Sequence, residues 1–253
     1  MDTRLFFERI GLPADTRTEH TVSFLGAIQS HAVTHIAYEN LDILAGKPLK
    51  LDFDSLAKKI VLDGRGGCCF ELNGFLSGAL KEMGFQVKER FARFLRGEKE
   101  IPMRRHRVTV VELDGKEYLL DIGVGQIAPR YPLLISENDI QKQGNETYRF
   151  TKDARHGWIL WDVKDGAWRE YICFTEDDAY EIDFVQPSFF CEYHPDSVFN
   201  KQRMIAIKTE NGRKTMDGST YKVFEGETLV HIEENLTDGQ AEEILRKEFL
   251  LKL

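Results

Sequence analysis

The sequence predicts an α+β protein in which a helical bundle is followed by a β-barrel and then by a small α/β segment. Three observations predict this order. Apolar residues recur at helical spacing up to about residue 85, strand patterns separated by Gly and Asp turns fill residues 86–185, and residues 186–253 mix strands with a closing helix. We therefore expect domains at residues 1–85, 86–185 and 186–253.

The helical region is predicted from apolar side chains three and four residues apart. The pattern occurs at Leu25, Ile28, His31 and Ala32, at Leu56, Ile60 and Val61, and at Leu72, Phe75, Leu76, Ala79, Leu80 and Met83. Asp52 or Asp54 would cap the second helix, and Gly84 would end the third. Cys69 precedes the third set by three residues, so we expect it on or near the buried face.

The middle region shows short strand patterns bounded by turn residues. Strands are predicted at residues 86–94, 106–113, 116–122, 147–150, 158–161 and 168–171. This number of short strands indicates a barrel or closed meander. In the last region, strands are predicted at residues 204–209 and 218–224, and a helix at about residues 238–250.

Composition fits a soluble globular protein, with 42% hydrophobic and 30% charged residues. No apolar run reaches the roughly 18 residues of a membrane helix, and the first residues, MDTR, lack the pattern of a signal peptide. We therefore expect a cytoplasmic protein with no membrane partner. The formal net charge of −8 disfavours nucleic acid as a partner, because phosphate binding needs dense Lys and Arg patches.

The cysteines and histidines predict free thiols and no metal. The four cysteines are irregularly spaced and include no CxxC pair, which argues against a disulfide framework and a structural zinc site. His31 and His35 are four residues apart, but no Glu lies between them as in a zinc-protease motif.

The most distinctive segment is RGGCCFELN at residues 65–73. It places Cys69 where two glycines lead into the first turn of a helix. Helix N-termini carry unpaired N–H groups and partial positive charge, which favour a thiolate over a thiol. Cys69 is therefore a candidate nucleophile with a lowered pKa. The alternative is a buried Cys68–Cys69 pair that only packs the helix against its neighbours.

A candidate base lies on a predicted hairpin. Asp114-Gly115 is a strong two-residue turn signal, and if Leu113 and Lys116 flank it, Asp121 falls opposite residue 108. His106 and Asp121 then share one face as diagonal neighbours. Cys69, His106 and Asp121 thus form a candidate triad, in which Asp121 orients the imidazole and His106 takes the thiol proton.

These residues resemble the motifs of the arylamine N-acetyltransferase family. Residues 65–73 resemble its RGGxCFExN, residues 38–42 (YENLD) its FENLD, and residues 121–125 (DIGVG) its DxGFG. Later segments are similar to its remaining signatures: QPSFF at 186–190, PDSVF at 195–199 and GRKTMDG at 212–218.

The resemblance implies a three-domain fold of helical bundle, β-barrel and α/β lid with a cysteine-protease-like core. It implies a Cys69–His106–Asp121 triad and a ping-pong reaction, in which acetyl-CoA as cosubstrate acetylates Cys69 and CoA leaves. The acetyl group then passes to an arylamine, arylhydrazine or N-hydroxyarylamine. A buried structural ion pair between Glu39 and Arg65 is implied as well. The expected partners are CoA and small aromatic amines or hydrazines, bound by a monomer or weak homodimer.

Side chains near the candidate triad and in the later motifs are predicted to contact CoA and the acceptor. Arg104, Arg105 and Lys201 would meet the CoA phosphates, together with Ser197, whereas Asp196 would repel them. Tyr38, Val124 and Phe189 would line the acceptor pocket. Val124 stands where the family motif has phenylalanine, so acceptor preference is expected to differ. Cys68 is expected to be a bystander, and the chain ends soon after its last helix, which reduces the expected C-terminal contact with CoA.

Three alternatives stay open at this point. An amide synthase of the same fold would use a carrier-tethered acyl chain. A transglutaminase-like or protease-like thiol hydrolase would use the same triad on amides without CoA. A non-catalytic thiol sensor or ligand-binding module would keep the cysteine but show no turnover.

Overall fold

The computed structural model describes residues 1–96 and 100–253. Its first third is helical, as predicted. The helices are α1 (Thr3–Arg9), α2 (Val22–His35), α3 (Leu41–Leu44), α4 (Phe53–Ala57) and α5 (Cys69–Glu82). A π-helical turn at Lys58–Leu62 continues α4. Asp52 caps α4 by accepting from the Ser55 N–H at 2.9 Å, and Gly84 follows α5 with a φ of +86°, which confirms both predicted boundaries.

Helix α5 is the centre of the bundle, and eleven of its fourteen residues are buried. It packs on two strands of the barrel, β1 (Gln86–Phe94) and β2 (His106–Leu113). Arg107 of β2 is buried in this interface, where its Nε donates to Glu89 at 2.6 Å and its Nη1 to the Phe70 carbonyl at 3.2 Å. Gly74 makes room for that guanidinium, since a Cβ there would lie 2.4 Å from it.

The central region forms one antiparallel sheet of eight strands. After β1 and β2, its strands are β3 (Lys116–Leu120), β4 (Leu133–Leu134), β5 (Gln141–Gln143), β6 (Glu146–Asp153), β7 (Gly157–Lys164) and β8 (Ala167–Phe174). Their order in the sheet is β4-β3-β2-β1-β8-β7-β6-β5. The sheet curls around a core that includes Val108, Val110, Phe150, Leu160 and Tyr171. The sequence patterns missed the two short edge strands, β4 and β5, because two or three residues are too few to show alternation.

Glutamine side chains join the two edges of this sheet. Gln141 on β5 donates to the Leu134 carbonyl and accepts from the Leu134 N–H, both at 2.8 Å. Gln143 makes the same pair of bonds with Tyr131, at 2.8 and 3.0 Å. Each amide therefore substitutes for one rung of a backbone ladder, and the sheet closes into a barrel.

The β2–β3 hairpin has the predicted register. Leu113 pairs with Lys116 and Thr109 with Leu120, so Asp121 continues on the same face as His106. The strand ends at Leu120, two residues earlier than predicted. The reason is that the backbone N–H of Ile122 is taken by Asn73 of α5 at 2.9 Å instead of by the neighbouring strand.

The last part of the chain is an α/β unit with a second antiparallel sheet. Its elements are α6 (Val185–Tyr193), β9 (Met204–Lys208), β10 (Gly212–Asp217), β11 (Thr220–Glu225), β12 (Thr228–Glu233) and α7 (Asp238–Glu248). The strand order is β12-β11-β10-β9. The predicted strand at 218–224 is wrong at its start, because Gly218 lies in the turn between β10 and β11 with a φ of +57°.

The YENLD segment ties this unit to the bundle. Tyr38 and Ala206 exchange two backbone hydrogen bonds, at 2.8 and 3.0 Å. The Asn40 amide donates to the carbonyls of Phe199 and Gln202 and accepts from the Met204 N–H. Over the described residues, no helix combines the length and apolar character needed to cross a membrane.

Replacement of Gln143 by Ala should destabilise the barrel. The substitution leaves the Tyr131 N–H and carbonyl without their partners, which we expect to cost about 1–3 kcal/mol of unfolding free energy. Urea unfolding followed by circular dichroism measures the change, with Lys142→Ala on the exposed face of β5 as the control. Equal stability of the two variants would contradict closure by this amide.

Candidate active site

The predicted nucleophile lies where α5 begins. Cys69 is the first residue of the helix and is 4% exposed. Its sulfur lies 3.8 Å from the carbonyl of Arg105, the residue before His106. Gly66 allows this placement, because a Cβ there would lie 2.0 Å from the Ala37 carbonyl oxygen. The glycines of the motif therefore let the chain pass close to the 37–39 segment before the helix starts.

The predicted base and its carboxylate are in contact. His106 Nε2 and Asp121 Oδ2 are 2.6 Å apart, and both side chains are buried. A carboxylate accepts, so Nε2 carries the proton in this pair. The other nitrogen, Nδ1, is buried and has no hydrogen-bond partner in the described part of the chain. Phe94 packs against the imidazole with ring centroids 4.9 Å apart and holds its plane.

Asn73 connects this pair to the helix that carries Cys69. Its amide donates to Asp121 Oδ1 at 2.8 Å and to the Arg107 carbonyl at 2.5 Å, and its Oδ1 accepts from the Ile122 N–H. Asn73 is one helical turn after Cys69, so both project from the same side of α5. The sequence predicts no role for Asn73 beyond its place in the motif, although its four-residue offset from Cys69 indicates a shared helix face.

The helix also packs closely against the chain just after Asp121. A Cβ on Gly123 would lie 2.8 Å from the Cys69 Cα and 2.7 Å from the Asn73 amide nitrogen. The Gly123 N–H donates to Asp121 Oδ1 at 2.8 Å. Cys69, His106 and Asp121, which are 15 to 52 residues apart in the sequence, thus lie in one buried cluster.

The electrostatic surroundings of the thiol differ from expectation. Contact with the Cys68 side chain raises the pKa of Cys69, and burial raises it further. The charge of Asp121 acts in the same direction. The lowered pKa expected from the helix N-terminus alone is therefore wrong. A thiolate at this position needs a cation beside it, which a proton on the His106 ring would supply.

The predicted Glu39–Arg65 ion pair is present, with 2.8 Å between Oε1 and Nη2. It is one part of a longer network. Arg65 also meets Asp42 at 3.3 Å, Lys59 meets Asp42 at 2.7 Å, and Lys59 meets Glu71 at 2.6 Å. Glu71 Oε2 accepts from the Cys68 N–H at 3.0 Å, so the network reaches the N-terminus of α5.

A cleft of about 650 Å³ opens on the Arg105 side of this cluster. It is lined by Phe91, Met103, Arg104, Arg105, Ile182, Asp183, Gln186, Pro187 and Phe190. Arg104 and Arg105 lie on its wall. Phe189 does not line it. That ring is 62% exposed and packs on Tyr193, whereas the next residue on α6, Phe190, faces the cleft.

The other predicted contact residues have mixed positions. The Ser197 hydroxyl is buried, donates to the Cys191 carbonyl at 2.6 Å and accepts from the Phe199 N–H, so it is used within a turn. Lys201 is exposed and is not among the cleft residues. Val124 packs between the helical and barrel cores.

Tyr38 lies against the thiols. Burial raises its pKa well above the usual range, and the proximity of Cys69 and Cys68 adds to the shift. Cys68 and Cys191 belong to the same apolar cluster as Cys69, and all four cysteines are free thiols.

Comparison with known proteins decides the family. The model of a family described as N-acetyltransferase matches residues 21–253. An arylamine N-acetyltransferase of Mycolicibacterium smegmatis is 30% identical over 238 residues, which cover 92% of this chain and 86% of the relative. This chain belongs to the arylamine N-acetyltransferase family.

Solved arylamine N-acetyltransferases share the fold. The enzyme from Salmonella typhimurium has a TM-score of 0.93 at 25% identity, over 100% of this chain and 92% of that chain. Mycobacterium marinum arylamine N-acetyltransferase in complex with CoA has a TM-score of 0.90 at 26% identity, over 98% and 92%. The predicted α+β fold of bundle, barrel and lid is therefore confirmed.

Substitution of Gly123 by Ala should destabilise the packing between α5 and the loop after Asp121. The added Cβ would press on Cys69 and Asn73, so we expect a loss of about 1–3 kcal/mol in unfolding free energy from overpacking. Denaturant unfolding measures it. Gly239→Ala in α7 is the control, because a Cβ there meets nothing within 4 Å. A Gly123 variant as stable as this control would mean that the helix and the loop are not in tight contact.

Proposed function

We propose that the protein is an acetyl-CoA-dependent arylamine N-acetyltransferase that carries the acetyl group as a thioester on Cys69. The observation that supports this most is the buried His106 imidazole, which is held by Asp121 through Nε2 and whose Nδ1 has no partner among the described residues. The carbonyl of Arg105, the residue before it, lies 3.8 Å from the Cys69 sulfur. A buried nitrogen without a hydrogen-bond partner lowers the stability of the folded protein, so such groups call for a functional explanation. We assign to this nitrogen the role of general base, which accepts a proton.

The first half-reaction follows from these groups. The Cys69 thiol transfers its proton to His106 Nδ1, and Asp121 stabilises the imidazolium that results. The thiolate attacks the acetyl carbonyl of acetyl-CoA, and the C–S bond to CoA then breaks. The departing CoA sulfur takes the proton from the ring, so the imidazole is neutral again when the acetyl-enzyme has formed.

The raised pKa of Cys69 is consistent with this order of events. A permanent thiolate would need a permanent cation beside it, whereas the Cys68 contact and burial both favour the protonated thiol of Cys69. The first N–H groups of a helix have no partner within it, so the Cys69 N–H is a candidate donor to the tetrahedral oxyanion.

The second half-reaction returns the enzyme to its starting state. The nitrogen of an aromatic amine or hydrazine, or the oxygen of an N-hydroxyarylamine, attacks the Cys69 thioester. His106 takes the proton that this atom loses, and Cys69 leaves as a thiolate and recovers that proton. Tyr38 and Phe190, one beside the thiols and one on the cleft wall, are the aromatic side chains that we assign to the acceptor.

The cosubstrate assignment rests on the relative crystallised with CoA and on the two arginines of the cleft wall. We assign Arg104 and Arg105 to the phosphates of CoA, because a doubly charged wall near the nucleophile suits an anionic donor. Val124 and Tyr38 both pack against the helical core. We assign to Val124 a wall of the acceptor pocket.

Incubation with acetyl-CoA should add one acetyl group to Cys69, as located by peptide mass spectrometry. An arylamine added afterwards should remove it and yield the N-acetyl product. Cys69→Ala is the negative control, and Cys68→Ser should still be acetylated because its neighbour provides the nucleophile. Amide hydrolysis without any acetyl-enzyme would instead identify a thiol hydrolase, and an unmodified, inactive protein would identify a non-catalytic thiol module.

Replacement of Asp121 by Asn should abolish most of the acetyl transfer. The variant amide can donate to His106 and favours the wrong tautomer, so we expect kcat to fall by roughly 10³–10⁴-fold while the fold is kept. Steady-state kinetics and circular dichroism test both parts. Glu112→Gln makes the same charge change at an exposed position of β2 and should leave the rate unchanged. Wild-type rates in the Asp121 variant would remove the carboxylate from the mechanism.

A further inference from the structure

Five charged side chains lie beneath the first turn of α5, and the proposed chemistry does not use them directly. They are Glu39, Asp42, Lys59, Arg65 and Glu71. The resemblance to the family motifs accounts for one pair, Glu39 with Arg65. Lys59 belongs to no motif, yet it lies at the centre of the cluster.

Lys59 bridges two carboxylates. Its Nζ lies 2.6 Å from Glu71 Oε1 and 2.7 Å from Asp42 Oδ2, and its side chain is only 15% exposed. Glu71 uses its other oxygen to accept from the Cys68 N–H at 3.0 Å. One carboxylate therefore connects the lysine to the backbone of the residue that precedes the nucleophile.

We propose that Lys59 is a positioning residue for Cys69: as the counter-ion of Glu71, it keeps an ionised carboxylate buried under the N-terminus of α5 and so fixes the backbone that carries the sulfur. This inference rests on the proposed role of Cys69 as the nucleophile. It assigns to the π-helical turn, where Lys59 resides, a part in preparing the site for acylation.

The charge balance of the cluster identifies the carboxylate that becomes protonated when Lys59 is replaced. Three carboxylates then share one cation, Arg65, which contacts Glu39 and Asp42. The Asp42 side chain is 17% exposed, so it still contacts Arg65 and is reached by solvent. The Glu71 side chain is 3% exposed and would then have neither a cation nor solvent beside it. Glu71 is therefore the group that takes up a proton.

The direction of the pKa shift agrees with this reasoning. Burial raises the pKa of Glu71 above its usual value, the charge of Glu39 adds to this rise, and Lys59 opposes it. Removal of the lysine leaves burial and the charge of Glu39 opposed by the hydrogen bond from the Cys68 N–H, which is a smaller contribution than that of Lys59. The carboxyl is then protonated up to a higher pH, and the Cys68 N–H loses a charge-assisted acceptor.

The test compares Lys59→Met with two matched variants. Lys58→Met changes the neighbouring lysine, which is exposed and pairs with Asp63, and should behave as wild type. The double variant Lys59→Met/Glu71→Gln places a neutral amide that can accept from the Cys68 N–H without a counter-ion. Each protein is treated with iodoacetamide, and alkylation of Cys69 is followed by peptide mass spectrometry between about pH 6 and 9, around the range where a buried carboxyl titrates.

We expect Lys59→Met to slow alkylation of Cys69 at pH 7 by about ten- to a hundredfold. The reason is that a displacement of a reacting atom by about 1 Å can reduce a reaction rate by this factor. The deficit relative to wild type should shrink as the pH rises and Glu71 ionises. The double variant should recover most of the rate at every pH. A lysine that only fills space would give a deficit that is independent of pH and is not recovered by Glu71→Gln, and that result would overturn the proposal.

The experiment distinguishes a loss of folding from a loss of Cys69 positioning. If Lys59→Met does not fold, the double variant decides: a folded protein with near wild-type alkylation supports the proposal, and an unfolded or unreactive one refutes it. Alkylation needs no acetyl donor. Failure of wild-type protein to form acetyl-Cys69 would therefore count against the proposed function alone, while an absent Lys59 effect would count against the positioning role alone.

Discussion

The site depends on one carboxylate, that of Asp121, which serves two parts of the molecule at once. Its Oδ2 holds His106 of the barrel, and its Oδ1 accepts from Asn73 of the helical bundle and from its own loop at Gly123. All of these groups are buried, so water cannot replace a partner that is lost. Removal of one hydrogen bond would therefore leave a buried polar group unsatisfied. Bundle and barrel are therefore aligned by the same group that orients the imidazole.

Cys69, the proposed nucleophile, is supported in a comparable way from the opposite side. The charged cluster under α5 holds the Cys68 N–H, and Gly66 lets the preceding chain lie against the 37–39 segment. The YENLD segment in turn is bound to the lid through Tyr38 and Asn40. Each of the three structural units thus contributes to the position of the sulfur, although only the bundle carries it.

Much of this arrangement could be predicted from local patterns. The register of the β2–β3 hairpin follows from the Asp114-Gly115 turn, and alternation then places His106 and Asp121 on one face without further information. Helix α5 follows from apolar periodicity. Lys59 and Asn73 could not be assigned in this way, since their partners lie on other elements and nothing in a local pattern names a distant partner. The predicted lowering of the Cys69 pKa is wrong for the same reason. The contact with Cys68 and the burial that raise this pKa depend on the tertiary structure.

The π-helical turn at Lys58–Leu62 has a consequence for insertions and deletions. Its Asp63 N–H bonds to the Lys58 carbonyl five residues back, so the turn holds one residue more than an α-helical turn would. Two consecutive lysines of this turn differ in position, since Lys58 is exposed and pairs with Asp63, whereas Lys59 pairs with Asp42 and Glu71. Loss of a single codon here would rotate the downstream side chains by about 100° about the helix axis. A gap of one residue in this turn would thus lower the unfolding free energy more than most point substitutions around it, although the turn contains no residue of the candidate triad.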